Sequence, residues 1–473
     1  MNKQYKKLGV NVAAITIGNF SSKILSFLIV PIYTAVLTTQ EYGVVDTLST
    51  TISLLYPFFT LLISEAVLRF ALDKNEDPKQ VFSIGFWVTI LGFLAALAVS
   101  PVFFLFDNLK GYYFYFMLYY FATTLQMVLN YFIRGIERVK LFALNGFLVT
   151  FVYLILNIIF LLVLKIGVHG YFLALIISSL FGSVFTWICA RLHRYLICPW
   201  RMDKSLIKQM LRYSVPMIPN SISWWISTSA DKYILIFFHG YALAGVYATS
   251  QKIPSLFAMI GTIFLNAWQI SAVEDFGSEQ SRLFYSDIYR KYSSLNIVVV
   301  SAFICGTQLL SRILFASEYY EGWVYTPVLL FSFVFHALAG FLGTIYTSAK
   351  ETKFLFGSAV AAALANIVLN IMLIPNFGAM GAALATLISY FVMWLVRLVD
   401  SRRFIRLDIN LKKDIFSYLL ILLQMGLLYL QTLPAYIGVF AVFFLLAFLH
   451  REIIVGTLHL LLDRLHAVKG DSV

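Results

Sequence analysis

Charge is scarce in this sequence. Only 12% of its 473 residues are Asp, Glu, Lys or Arg, while 60% are hydrophobic. Soluble globular chains run at about 25% charged and about 45–50% apolar. The scarcity excludes an ordinary soluble enzyme. It excludes a disordered chain more firmly, since disorder needs little hydrophobicity and much charge. Cysteine is nearly missing: Cys189, Cys198 and Cys305 are too few for a disulfide framework and have no metal-ligand spacing. Catalytic motifs are missing as well. There is no Walker loop, no H-E-x-x-H, no nucleophile elbow and no Cys/His cluster. ATP hydrolysis and familiar hydrolase chemistry are excluded, and neither a metal nor a cofactor is implied.

What the sequence has is long apolar runs. Windows of about 20 apolar residues, enough to cross a bilayer, follow one another almost without gaps. They fall near 9–37, 42–68, 80–105, 111–133, 139–164, 168–190, 207–237, 241–270, 290–311, 323–349, 353–374, 379–397, 414–431 and 435–450. The first is too long for the ~7–15-residue core of a signal peptide and reads as a span. The expected fold is all-α: a polytopic membrane protein of about fourteen helices. The tail from Arg451 to Leu465 reads as an interfacial amphipathic helix. The 44 Phe and 28 Tyr suit a lipid-facing surface with interfacial belts.

The basic residues orient these spans. Alternate loops carry 29 of the 35 Lys and Arg, the opposite loops only Lys110, Lys165 and Arg312. The positive-inside rule then makes both termini cytoplasmic. The net charge of +12 is thus topological charge beside anionic lipid, and calls for no nucleic acid. Outer links such as 38–41, 239–240 and 375–378 leave no room for an external domain.

Two longer cytoplasmic links, 191–205 and 397–413, fall where an internal repeat would end. Gly43 and Gly245 correspond at an offset of 202, Leu156-Asn157-Ile158 and Leu369-Asn370-Ile371 at 213, and Gly167…Gly170 and Gly378…Gly381 at 211. Six-span units of equal orientation give two lobes, 1–200 and 201–400, related by an axis along the membrane normal, with two further helices and a tail in 401–473. A cleft between such lobes suggests alternating access.

An ionisable group inside a span costs about 2.5–3.5 kcal/mol on insertion scales, so it faces a cavity or a partner. Lys23 shares a face of span one with Asn19. Asp46 shares a face of span two with Ser49, Ser53 and Tyr56. Span four offers Gln126, Asn130 and Arg134. Asn220, Ser223, Ser227 and Asp231 form one side of span seven with Trp224 beside them, and Lys232 points away near Trp225. Lys252 and Ser255 lie along one stripe of span eight. Residue counting puts Lys23 and Lys252 near mid-membrane and Asp46 and Asp231 nearer the outer surface. Cations at the midplane suit an anionic substrate. The acids, with Lys232, could bind a coupling Na+ or H+ or pair with the lysines. The alternative is structural: Lys23 with Asp46, and Lys252 with Asp231, neutralise each other. Glu65 and Arg69, four residues apart, read as an interfacial pair. His239 and His336 read as ordinary interior or interfacial histidines. Pro31, Pro57, Pro216, Pro219 and Pro254 bend these same spans, with 216–220 marking a broken start to span seven.

The run Tyr213-Ser214-Val215-Pro216…Asn220…Asp231-Lys232-Tyr233…Gly245-Val246-Tyr247…Lys252-Ile253 resembles the polysaccharide-biosynthesis flippases of the multidrug/oligosaccharidyl-lipid/polysaccharide exporter superfamily. Asn19…Lys23…Pro31 and Glu41-Tyr42-Gly43 fit the same pattern. The resemblance implies a bacterial inner-membrane flippase for undecaprenyl-diphosphate-linked oligosaccharide, working beside a polysaccharide polymerase and chain-length proteins. In related lipid II flippases, cations of the first, second and eighth spans face the cavity. Lys23 and Lys252 match two of those places, and span two carries Asp46 but no mid-span arginine. Ser53, Asn130, Asn220, Ser223, Trp224 and Ser255 complete the expected cavity lining. The rival readings are a cation-coupled multidrug antiporter of the same fold and a membrane polymerase or ligase. The antiporter would favour acidic groups over lysines, and the enzyme would need a large outer loop.

Overall fold

The computed structural model describes residues 22–274, 279–349 and 351–452. It is 89% helical, with no strand among the described residues. The helices are α1 (Ser22–Val36), α2 (Thr39–Phe59), α3 (Ile63–Ala71), α4 (Pro78–Val99), α5 (Tyr113–Gly135), α6 (Val139–Asn157), α7 (Val168–Ala190), α8 (Lys204–Ser214), α9 (Ile218–Ser250), α10 (Lys252–Glu274), α11 (Glu279–Leu314), α12 (Thr326–Ser348), α13 (Thr352–Asp400), α14 (Leu411–Leu430) and α15 (Leu433–Leu449).

Among the described residues, nine helical segments are long and apolar enough to cross a bilayer, or ten if the bent pair α2–α3 is one span. Two of those segments contain a break, at Gly240 in α9 and Gly378 in α13. With each break dividing two spans, and with the shorter apolar helices α1 and α15, the fourteen spans expected from the sequence are present.

Local chemistry explains the ends. Thr38 and Glu41 form a capping box at the start of α2: the Glu41 amide donates to Thr38 Oγ1 at 3.2 Å and the Thr38 amide to Glu41 Oε2 at 2.9 Å. Asp77 caps α4, and Pro78 takes its first turn, where no N–H is needed. Between α2 and α3 the chain turns through 65°. Pro57 lies inside α2, and Leu61 and Leu62 take left-handed φ values of 53° and 51°. Span two is thus broken.

Two hairpins share a local geometry. Gly167 (φ 65°, ψ −141°) opens α7, and Gly378 (φ 54°, ψ −132°) takes nearly the same conformation within α13. A side chain finds this region almost inaccessible. Three residues on, a Cβ on Gly170 would meet Phe160 at 2.9 Å, and one on Gly381 would meet Leu373 at 2.6 Å. The two helical hairpins therefore turn and close in the same way.

The chain divides into two compact units. Unit 1 holds the described residues up to Ile236 together with Gly240–Val246 and Leu314–Tyr319. Unit 2 holds Phe237–His239, Tyr247–Ile313 and the described residues from Tyr320 onward.

Within unit 1, a buried cluster joins Ile63, Val67, Phe82, Phe132, Ile133, Leu192, Leu206 and Met210. Amphipathic α8 contributes Leu206 and Met210 from one face. The 191–203 link is pinned: Ser83 donates to Tyr195 O at 2.9 Å, Trp87 Nε1 to Ile197 O at 3.0 Å and Gln80 Nε2 to Arg201 O at 3.2 Å. Between α8 and α9, a 3-10 turn at Val215–Met217 forms the broken start expected there. Gly43 of α2 and Gly245 of α9 face each other within unit 1. A Cβ on Gly43 would collide with Tyr241 O and lie 3.2 Å from Gly245 N. One on Gly245 would collide with Thr39 O and lie 3.0 Å from Gly43 N. Only two glycines allow this reciprocal crossing.

One basic residue differs from its sequence assignment. Arg397 counts as a loop charge by topology. It is instead buried in α13, where Nε donates to Ser358 Oγ at 2.9 Å and a terminal nitrogen to Ala339 O at 2.8 Å. A guanidinium this deep is stable because its fork finds several acceptors.

Candidate functional site

Unit 1 encloses a cavity of about 680 Å³. Helix α5 builds one wall. Tyr119, Thr123, Gln126, Asn130 and Arg134 recur at spacings of three and four, so they line a single face. Ser49, Ser53 and Tyr56 of α2 form the second wall, and Trp224, Trp225, Thr228 and Ser229 of α9 the third. The break in span two completes it by bringing Leu62 and Glu65 to the lining. Across that break the Tyr56 and Ser64 hydroxyls are hydrogen-bonded.

The charges here are arranged unusually. Glu65 Oε1 accepts from the Tyr131 hydroxyl at 3.1 Å. The Arg134 guanidinium lies over the rings of Tyr131, at 5.4 Å, and Phe142, at 5.2 Å. Among the described residues, no carboxylate is within ion-pair reach of Arg134. Its charge is held by ring faces, each worth about 0.5–2 kcal/mol, and remains available to an anion. Asn130 Oδ1 accepts from Asn145 at 2.9 Å, so its amide hydrogens are not used by that contact.

A tight framework joins α2 to the first half of α9. Lys232 Nζ meets Asp46 Oδ2 at 2.6 Å, with side chains only 13% and 17% exposed. The Lys232 amide donates to Asp231 Oδ1 at 2.9 Å. Trp225 Nε1 donates to Thr50 O at 3.0 Å, and the Tyr233 and Thr51 hydroxyls meet at 2.6 Å. In a medium without water, such contacts replace hydration that is absent.

The residues expected from the sequence divide as follows. Ser53, Asn130 and Trp224 line the cavity. Asn220 is exposed at the start of α9, and Ser223 bonds back to Pro219 O at 2.8 Å; neither is part of the lining. Lys23 occupies an exposed turn of α1, also outside the lining. In unit 2, Lys252 is half-buried at the start of α10, and Ser255 donates to its carbonyl at 2.6 Å. Asn19 and the tail beyond residue 452 lie outside the described residues. The ion partner of Asp46 is Lys232, not Lys23. Arg69 bonds Asp73 at 4.0 Å, while Glu65 turns to Tyr131 and the cavity. His239 bonds Ile374 O at 2.8 Å, and His336 leans on the Tyr390 ring at 4.7 Å. Among the described residues, no three His, Cys, Asp or Glu side chains converge as a metal site.

Sequence patterning missed Glu65, Tyr119, Thr123 and Tyr131 as lining. The last three were accessible from the α5 stripe. Glu65 was not, because its orientation depends on the break.

The pattern of the family described as "Polysaccharide biosynthesis protein" matches residues 8–269, more than half of the chain. The chain belongs to that family. An uncharacterised membrane protein of Methanocaldococcus jannaschii is 23% identical over 413 residues, covering 81% of this chain and 95% of that one. Among solved structures, the lipid II flippase MurJ in its inward closed conformation matches with a TM-score of 0.69 and 15% identity, over 93% of this chain and 99% of that one. An inward-facing MATE-family multidrug resistance transporter of the MOP superfamily matches with a TM-score of 0.63 and 17% identity, over 80% of this chain and 94% of that one. At these identities the likeness is one of fold. This member of the polysaccharide biosynthesis family has the fold of the MOP-superfamily flippases and transporters.

Proposed function

We propose that the protein is a flippase, not an enzyme, which carries an undecaprenyl-diphosphate-linked oligosaccharide across a bacterial cytoplasmic membrane by alternating access. The observation that carries this reading is an aromatic-walled cavity with polar side chains inside a membrane-embedded unit, and in it an arginine held by ring faces instead of an acid. A diphosphate must lose water to cross about 30 Å of hydrocarbon, and an arginine fork offsets that loss with paired hydrogen bonds. The Ser, Thr, Asn and Gln side chains of the lining suit a sugar moving through a wet passage.

On this reading both termini are cytoplasmic, and 1–200 and 201–400 are the rocking lobes, with 401–473 accessory. Lys23 and Lys252 supply further cations to the substrate path. Asp46, Asp231 and Lys232 form a charge group that Na+ or H+ could bias. A polysaccharide polymerase and chain-length proteins take the product onward. The MATE fold likeness and the Glu65 carboxylate favour the second reading, a cation-coupled multidrug antiporter.

One experiment separates the two: surface-polysaccharide complementation and resistance to a cationic dye, scored together with protein levels. Arg134→Ala and the pair Lys23→Ala, Lys252→Ala should abolish polysaccharide export at normal abundance and leave dye resistance unchanged. Full export by both variants refutes the flippase reading. Dye resistance that depends on Glu65 but not on Arg134 establishes the antiporter instead.

A further inference from the structure

A second cavity, of about 380 Å³, lies in unit 2 where three helices meet. Arg290, Lys291 and Ser294 reach it from α11, Lys413 and Asp414 from the first turn of α14, and His450 from the end of α15. The apolar runs of all three helices begin or end beside it. It therefore sits where hydrocarbon gives way to water.

The charges of the lining are balanced. Arg290, Lys291 and Lys413 face Asp287, Asp414 and Glu452. Lys291 and Asp287 pair at 2.7 Å. Among the described residues, no carboxylate is within ion-pair distance of Arg290 or Lys413. A polyanion meets as much repulsion here as attraction. A ligand with one charge of each sign fits.

Depth orders those charges. Asp414 and Ser294 are only 7% and 8% exposed, whereas Arg290 stands at the surface and Lys413 is half-buried. Asp414 receives one long hydrogen bond, from the Ser293 hydroxyl at 3.5 Å. A buried carboxylate so weakly satisfied calls for a further donor. His450 sets the polarity of Ser294. The Ser417 hydroxyl donates to Lys413 O at 2.9 Å, so it accepts from His450 Nε2, also at 2.9 Å. With Nε2 carrying the proton of a neutral ring, Nδ1 accepts from the Ser294 hydroxyl at 2.7 Å. The Ser294 hydrogen is thereby used, and its oxygen offers the cavity an acceptor. Acceptors form the floor, and cations the rim.

We propose that this cavity binds the phosphoethanolamine head of a membrane phospholipid. The primary ammonium enters and gives its N–H hydrogens to Asp414 and Ser294. The phosphodiester stays at the rim against Lys413 and Arg290. Counted from the acyl chains, such a lipid has its phosphate first and its amine last, the order of rim and floor. Exposed Glu452 leaves no surplus of cations for a second phosphate. Ile415, Phe416 and Phe448, exposed by 52%, 49% and 62%, offer the chains an apolar path along α14 and α15. That path commits the ligand to a lipid over soluble phosphoethanolamine. The site does not depend on the flippase reading.

The test titrates the full chain, purified in detergent, by native mass spectrometry. The probes are phosphatidylethanolamine, its N-methyl, N,N-dimethyl and choline forms, phosphatidylglycerol, cardiolipin and free O-phosphoethanolamine. Phosphatidylethanolamine should bind about tenfold more tightly than the choline form, the scale of one charge-assisted hydrogen bond. The methylated forms should fall between them, and the remaining probes should bind more weakly than phosphatidylethanolamine. Asp414→Asn should erase the preference over choline, and Ser294→Ala should reduce it. Arg290→Gln, a surface change, should weaken the ethanolamine and choline lipids alike. Equal binding of those two lipids by the unmodified chain overturns the proposal. So does a preference that survives Asp414→Asn or, where that variant does not fold, one that Ser294→Ala leaves intact. Tighter binding of cardiolipin makes this an anionic-lipid site instead. O-phosphoethanolamine binding as tightly as the lipid makes the ligand soluble and overturns the lipid assignment.

Discussion

Units 1 and 2 bury similar polar residues in apolar helices, yet they use them differently. In unit 2 several buried polar groups close on one another, although a second cavity there is lined by charged groups such as Arg290, Lys413 and Asp414. Gln424 Nε2 donates to Ser301 O and Val439 O, both at 3.2 Å, while its Oε1 accepts from Ser301 Oγ at 2.9 Å. His450 is held between Ser294 at 2.7 Å and Ser417 at 2.9 Å. Arg397 is absorbed by a serine and a backbone carbonyl, and Asn370 donates to Asn366 at 2.9 Å. In unit 1, Gln126, Asn130, Glu65 and Arg134 keep bonding capacity turned toward open space. Residue type does not distinguish a structural polar group inside a membrane from a functional one. What distinguishes them is whether its bonds are already made.

The comparison can be broken by substitution. The largest effect is expected at the crossing inside unit 1. Gly43→Val forces α2 away from Tyr241 O and should eliminate folded protein, measured as monodisperse material after detergent extraction. Normal yield would show that the crossing tolerates separation. Next is the largely shielded pair that joins α2 to α9. Asp46→Asn leaves Lys232 without its anion and should cost about 3 kcal/mol. The double change Asp46→Asn, Lys232→Gln should recover most of that loss in a thermal-unfolding assay. Strict additivity of the two single changes would mean the pair is not coupled.

A smaller effect is expected where unit 2 closes its polar groups. Gln424→Leu removes hydrogen bonds worth about 0.6 kcal/mol each between membrane helices. It should lower stability by about 1–2 kcal/mol and leave ligand binding unchanged. A loss of binding with full stability would place Gln424 among the functional groups. The smallest effect is expected at Gly426, where a Cβ meets nothing within 4 Å. Gly426→Ala should raise stability by up to about 1 kcal/mol through helix propensity alone, and a fall would reveal a neighbour.

Much of this was legible in the sequence, because apolar length and 3.6-residue periodicity are local properties. The spans, the broken start of α9 and the turns at Gly167 and Gly378 all follow from short stretches. Ser53, Asn130 and Trp224 were found as cavity residues because they lie on polar stripes. The Lys232–Asp46 pair was hidden, since its members are 186 residues apart and Lys232 points away from the polar face of its own helix. Glu65 misled for another reason. Four residues from Arg69, it fits an ordinary helical ion pair, but the left-handed residues at 61 and 62 redirect it. Arg397 had no local mark to separate it from the basic residues of a loop, because its acceptors come from other segments.

The reciprocal crossing of Gly43 and Gly245 also has a consequence for descent. Each glycine forbids a side chain on its own helix and, through the opposing carbonyl, limits how far the other helix can drift. Neither position can mutate alone without parting the helices, and mutation of both does not help. Such a doubly locked pair should persist after the surrounding residues have been replaced many times. It offers a fixed register mark for aligning chains of this fold at 15% identity, where ordinary positions no longer carry a signal.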